Sequence, residues 1–322
     1  MAPGPLGWIP PNQRTAAQAS AHATAMGVTV AHALLAPTFA PGQFVKLYDF
    51  WKAKEVVDEA GLTFNRVHQL TGSCVWAGGT NAVFSSIAAQ RMASDNPIQA
   101  FLPFTLGNYA MSRHYMGDDG RGEGSLGSTF ARSLTKDGLT KWDPTVTGIP
   151  QFNQKDGVAV ASSSVELNWS SYNNPLLPPV LTASAPHTFG SATPATSAQD
   201  VKALIANGYG VTFACNNYIG GAKVEGSGAD ACLIGYWDSY GPHQQSIHAY
   251  WEHPQFGPLY WAQNNWPGNT YPADPAGGPV CGCWVREAKV DWAMKNLDSE
   301  VFGLSSLNWF PAQPKVFTWA MI

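Results

Sequence analysis

Two segments far apart in the chain carry side chains that are useful only if they meet, and this limits the architectures the sequence can adopt. Gln69-Leu70-Thr71-Gly72-Ser73-Cys74 precedes a long apolar stretch, and a strand rich in histidine runs into Asn264-Asn265-Trp266-Pro267-Gly268. The first segment supplies a thiol, the second an imidazole and an orienting amide. A thiol by itself is a poor clue, because buried cysteine is usually a small hydrophobe. The order Gln, Cys, His, Asn is much harder to obtain by chance.

Local patterning indicates which elements carry these groups. Cys74 opens a run in which Trp76, Val83 and Ile87 recur at seven and four residues, the spacing of one helical face. A central helix is predicted there, with the thiol on its first turn. Unpaired N–H groups and a partial positive charge at that end favour a thiolate. Gly78 and Gly79 lower helix propensity and are read as admitting a close neighbour. A short helix is expected around Lys52–Val57, a second one over Ser125–Lys136 with Gly138 beyond it, and another over Ala198–Asn207. Residues 96–116 read as an aromatic loop, and 141–197, dominated by Pro, Ser, Asn and Thr, as an irregular insertion. Strands are expected over Gly210–Cys215, Gln244–Trp251 and Leu259–Asn264. Helices lead and strands follow, so the fold class is α+β, a helical part followed by a β-rich part.

The ordered residues resemble the papain-like cysteine peptidases, in a divergent form of bacterial or phage type. Gly72-Ser73-Cys74 looks like the segment carrying that family's nucleophile, with Gln69 just upstream where the family places its oxyanion-hole side chain. Gly124-Ser125, Phe130-Ala131 and Gly138-Leu139 are similar to the turn, helix and closing glycine of one wall of the substrate cleft. Gly257 to Trp266 looks like the hairpin strand that ends in Asn, one residue, Trp. The resemblance covers roughly residues 45–300 and implies a cleft between the two halves. It departs in three places: the Gln-to-Cys spacing is one residue short, Val75 replaces the usual Trp, and the familiar disulfide cysteines are absent.

The implied chemistry is hydrolysis of peptide bonds. Cys74 is the expected nucleophile, a histidine its acid/base, Asn264 the group that holds the ring, and Gln69 with the Cys74 N–H the oxyanion donors. Trp266 would shield the His–Asn contact from water. His243, His248 and His253 are spaced by five. His243 is favoured, with Gly241-Pro242 before it and Ala249-Tyr250 after it. His248 remains an alternative that would set Pro254 against a paired strand, at the loss of a ladder bond. His253 reads as a loop residue. No cofactor or metal is expected: Cys281-Gly282-Cys283 lacks zinc spacing, and Gly120, Gly122 and Gly124 follow no strand that would make them a phosphate loop.

A net charge of -4 without any basic cluster argues against nucleic acid, and no uninterrupted apolar run is long enough to span a bilayer. Peptide or protein substrates are the expected partners. Residues 1–44 read as an apolar N-terminal arm with one helix near 15–26, residues 45–300 as the papain-like domain, and 301–322 as a tail. The domain divides into a helical half to about 140, the insertion, and a β-rich half from about 198. The arm is too short and too unlike the family's inhibitory pro-segment to predict autoinhibition. Met1–Pro11 has neither a basic start nor an apolar core, so no conventional secretion signal is expected. With only 12% charged residues and a long apolar arm, a second reading stands beside the enzyme. It is a structural or assembly protein, such as a phage virion component, that keeps the fold with little or no turnover. The chain would then lie in the cytoplasm or inside such a particle. Five cysteines leave at least one unpaired, Cys74 being the natural odd one, and reduced thiols are expected throughout.

Overall fold

The computed structural model describes residues 7–27, 37–93, 99–146, 149–150, 153–155, 158–266 and 271–308. Pro267, Gly268, much of the apolar run from Met26 to Ala40, and the chain from residue 309 lie outside the described residues.

In chain order the first elements are α1 (Ala16–Gly27), β1 (Phe44–Lys46), α2 (Lys54–Ala60), β2 (Arg66–His68), α3 (Cys74–Ala93), α4 (Leu106–Tyr115) and α5 (Gly127–Lys136). There follow β3 (Asn153–Lys155), β4 (Val158–Val160), α6 (Ser163–Trp169), α7 (Leu177–Ser184), β5 (Phe189–Pro194) and α8 (Ala198–Ala206). The C-terminal part holds β6 (Val211–Tyr218), β7 (Ala222–Glu225), β8 (Cys232–Gly235), β9 (Ser239–His253), β10 (Gly257–Gln263), β11 (Gly282–Arg286), α9 (Glu287–Asn296) and β12 (Glu300–Leu307).

The main sheet runs β5-β12-β6-β9-β10-β11-β8-β7, with β1 on the far end of β9. Its pairs are antiparallel except β11 with β8. Helices and sheet are thus both present and largely segregated along the chain: the α+β class.

The central helix α3 is buried from Cys74 to Gln90 on every face, not along one stripe. Its polar residues are matched accordingly: Asn81 Oδ1 accepts from Val67 N at 2.6 Å, and Ser86 Oγ donates to Leu304 O at 3.0 Å. A Cβ on Gly78 would stand 2.9 Å from the Gln244 carbonyl oxygen of β9, and one on Gly79 would overlap the Phe130 ring of α5. Two missing side chains therefore let α3 press against β9 on one side and α5 on the other.

Three expectations need correction. Within the supposed aromatic loop, Leu106–Tyr115 forms α4, whose residues through Arg113 are buried. Packing against α5 overrides the modest propensities of its Gly, Asn, Tyr and His. The insertion is not irregular throughout, since it contains α6 and α7 and ends in β5, an edge strand of the main sheet. Pro194 is tolerated there because it ends an edge strand. The tail does not begin at 301: β12 pairs with both β5 and β6 inside the sheet.

Candidate active site

α3 begins at Cys74, and its sulfur lies against β9. The backbone N–H of Gln244 donates to Cys74 Sγ at 3.2 Å. Gln244 directly follows His243, so the strand that delivers the ring also touches the sulfur. Asn265, just past the end of β10, joins the same junction: its Nδ2 donates to Cys74 O and to Gln244 O, each at 3.3 Å.

The His243 ring is held from one side only. Its Nε2 lies 2.9 Å from Asn264 Oδ1, while Nδ1 has no hydrogen-bond partner among the described residues. Asn264 Oδ1 also accepts the N–H groups of Asn265 at 2.7 Å and Trp266 at 3.4 Å. Those backbone donors require the amide oxygen, rather than the NH2, to face the ring. The neutral ring must then carry its proton on Nε2, which leaves Nδ1 as a lone-pair acceptor. Trp266 lies over the ring with centroids 4.2 Å apart and is itself 8% exposed.

The other two histidines are engaged elsewhere. His248 is bonded on both nitrogens, to Ser85 Oγ at 2.8 Å and Ser246 Oγ at 2.7 Å, and sits edge-on to Trp51. His253 closes the turn after β9, where Nδ1 accepts from Gln255 N and Phe256 N.

Gln69 is buried, with its backbone N–H on Asn265 O and its Nε2 on Thr71 O at 2.9 Å. One amide hydrogen remains uncommitted. The loop from Gln69 to Cys74 is braced at Gly72, whose carbonyl accepts from Tyr109 Oη at 3.2 Å and Gly124 N at 3.0 Å. Gly124 adopts φ +86, a left-handed conformation for which glycine is the default residue. Arg113, 1% exposed, donates to the carbonyls of Glu123 and Gly124 and pairs with Asp118, so α4 shapes the same wall.

The N-terminal arm occupies this cleft, which the sequence did not announce. Ser125 N donates to Gly7 O at 2.7 Å and Ile9 N to Ser125 O at 3.0 Å, a short parallel bridge along the wall. A Cβ on Gly7 would overlap the Gly72 carbonyl and stand 2.8 Å from Cys74 N, so only glycine passes over the thiol. Trp8 is 2% exposed and its indole N–H donates to Glu300 Oε2 at 3.1 Å. Glu300, at the start of β12, also pairs with Arg14 and with His22 Nδ1 at 2.9 Å, and accepts from Ser128 N.

Covered in this way, the site is desolvated. Burial pushes the Cys74 thiol up to about 12, against partial relief from the N–H groups of Gln244, Gly7 and Val75. Burial likewise lowers His243 to about 4, against Asn264 and Asn265. Both groups are neutral at physiological pH in this state.

None of the five cysteines, all of them among the described residues, is in a disulfide, and among the described residues no cluster of His, Cys, Asp and Glu could hold a metal. No described helix is long and apolar enough to cross a membrane. Sequence reasoning did not single out Trp8, Gln244, Asn265, Glu300 or Glu166, whose carboxylate accepts four hydrogen bonds from residues 70–73. Only Glu166 left a visible signal, being the one charged residue between Gly157 and Gln199.

No protein-family profile matches the sequence, and no curated protein matches it. Solved structures do. The cysteine protease xylellain of Xylella fastidiosa aligns over 94% of this chain and 96% of its own, with TM-score 0.56 at 14% identity. Digestive procathepsin L 3 of Tenebrio molitor larval midgut aligns over 86% and 74%, with TM-score 0.48 at 11% identity. Bromelain from Ananas comosus, solved with the E64 inhibitor, aligns over 82% and 99%, with TM-score 0.44 at 9% identity. The fold is papain-like, helical and β-rich parts with a cleft between them, and at such identities the likeness is one of architecture.

Proposed function

We propose that this chain is a papain-like cysteine peptidase, latent while residues 7–14 lie in its cleft, with Cys74 as nucleophile, His243 as acid/base, Asn264 as orienter and Gln69 as an oxyanion donor. The observation that carries this reading is the arrangement of His243: Nε2 committed to Asn264, Nδ1 without a hydrogen-bond partner among the described residues, and the next N–H of the strand on the sulfur at 3.2 Å.

With the arm displaced, water reaches sulfur and ring and the desolvation that keeps both neutral is relieved. The thiol proton passes to His243 Nδ1, and Asn264 Oδ1 keeps its bond to Nε2–H of the imidazolium. The thiolate attacks the scissile carbonyl carbon, forming the C–S bond while the carbonyl π pair moves to oxygen. That oxyanion is received by Cys74 N–H and the free hydrogen of Gln69 Nε2. The C–N bond then breaks and the leaving nitrogen takes the proton from Nδ1. Water, deprotonated by the same nitrogen, hydrolyses the thioester and returns the thiol. Trp266 over the ring keeps solvent from the His–Asn bond.

The test compares the chain with Cys74→Ala and His243→Ala after arm displacement, on a fluorogenic peptide amide. Turnover lost in both, with iodoacetamide reacting at Cys74 ahead of the other four cysteines, is expected. Equal, slow labelling of all five thiols with no turnover would leave the assembly reading instead.

A further inference from the structure

Glu166 lies on α6, in the insertion, and is fully buried. Its Oε1 accepts from Leu70 N at 2.8 Å, and its Oε2 from Thr71 N at 3.0 Å, Thr71 Oγ1 at 2.8 Å and Ser73 Oγ at 2.6 Å. All four donors come from the stretch between Gln69 and Cys74, and all are neutral. Buried charges are ordinarily paired with opposite charge; here one loop supplies the whole compensation. An apolar residue in its place would leave the buried donors of Thr71 and Ser73 without an acceptor. A carboxylate does something an apolar residue cannot: two oxygens gather donors from residues 70, 71 and 73 and dictate the backbone path between them.

We propose that Glu166 is a positioning residue for the oxyanion hole, holding residues 70–73 so that the Gln69 amide and the Cys74 N–H converge on one point. This rests on the peptidase reading above. Only four residues separate Gln69 from Cys74, and a carboxylate from the insertion acts as the template for their path. Gln69 itself shows the tightness of that path, since its Nε2 reaches back to Thr71 O at 2.9 Å.

The test uses the full chain carrying Trp8→Ala, to open the cleft, with and without Glu166→Gln. Glutamine keeps the volume but turns an N–H toward at least one of the four donors. The expected result is a fall in kcat on a peptide anilide of about 100-fold, the scale of a misplaced oxyanion donor. KM and the rate of iodoacetamide labelling at Cys74 stay within about threefold, because alkylation forms no oxyanion and binding precedes chemistry. An unchanged kcat overturns the assignment, as does a parallel loss of kcat and labelling, which marks a general structural prop. Ser73→Ala removes one donor and leaves the carboxylate; it gives a smaller fall in kcat with labelling again unchanged, and covers the case in which Glu166→Gln does not fold. A Ser73→Ala chain with full kcat counts against the assignment. If the Trp8→Ala chain itself neither labels selectively at Cys74 nor hydrolyses the anilide, the peptidase reading has failed and the role of Glu166 falls with it.

Discussion

Trp8 is the most informative single change, because it touches the arm and leaves the body of the protein intact. Its side chain is buried and its indole N–H reaches Glu300 at 3.1 Å. Glu300→Ala would be less clean, since it also unpairs Ser128 N at the start of α5. Replacing a buried Trp by Ala costs about 3–5 kcal/mol, and here that loss falls on arm docking alone, because the lifted arm exposes residue 8 to water. If iodoacetamide reaches Cys74 only when the arm is up, the labelling rate is the opening constant times the rate at the open site. At 1.4 kcal/mol per factor of ten, Trp8→Ala should speed labelling by about 100- to 4,000-fold, up to the ceiling set by the open site. The assay is mass-spectrometric labelling of the native chain, with Cys215 and Cys283, both buried, as internal controls that must stay slow. A change of less than about twofold, inside the roughly 0.5 kcal/mol range of a surface substitution, would falsify the arm as the barrier. Equal acceleration of Cys215 and Cys283 would refute it differently, by showing that the whole fold had loosened.

The remaining expectations concern the latch and the helix seat. Burial alone would raise the Glu300 carboxyl, but His22, Arg14 and Trp8 outweigh it and hold it below its ordinary value of 4.5. A carboxylate lowered in the docked state contributes docking energy that is complete above the ordinary value and is lost as pH falls through the lowered one. Hydrogen exchange in residues 7–14, corrected for intrinsic rate, should therefore rise in acid below about 4.5; protection that persists to pH 3 or grows in acid contradicts the latch. Gly78→Ala forces a Cβ to 2.9 Å from the Gln244 carbonyl, a backbone atom that cannot swing aside. A loss of about 1–3 kcal/mol is expected in denaturant unfolding, and an unchanged midpoint would mean that α3 does not press on β9 as described.

The parts of the site that were legible in sequence carry short, local signatures. Cys74 sits at a helix start after Gly72-Ser73, and Asn264 directly follows β10. The papain-like architecture followed from the order of these pieces. What was not legible depends on neighbours far along the chain. β12 lies between β5 and β6, and Glu300 through Phe302 are buried in succession, so it lacks the alternation that marks a half-exposed strand. The arm has an unremarkable sequence, and nothing in Gly7-Trp8-Ile9 indicates that Ser125 will be its partner. Glu300 is one acid among many, and only its convergence with Arg14, His22 and Trp8 distinguishes it.

The ionisation of the thiol shows most plainly how a correct local inference is overruled. A cysteine on the first turn of a helix gains about 0.3–1 kcal/mol in favour of its thiolate, at most about 2. Burial takes Cys74 from 9.0 to about 12, on the order of 4 kcal/mol in the opposite direction. Desolvation wins by a factor of at least two, so the helix terminus cannot generate the nucleophile while Gly7 lies over the sulfur. Lifting the arm, on the peptidase reading, admits water and relieves part of the larger opposing effect, the smaller favourable one survives, and Nδ1 of His243 takes the proton. On the peptidase reading, the reactivity of this thiol is a property of arm occupancy as much as of its own position in the chain.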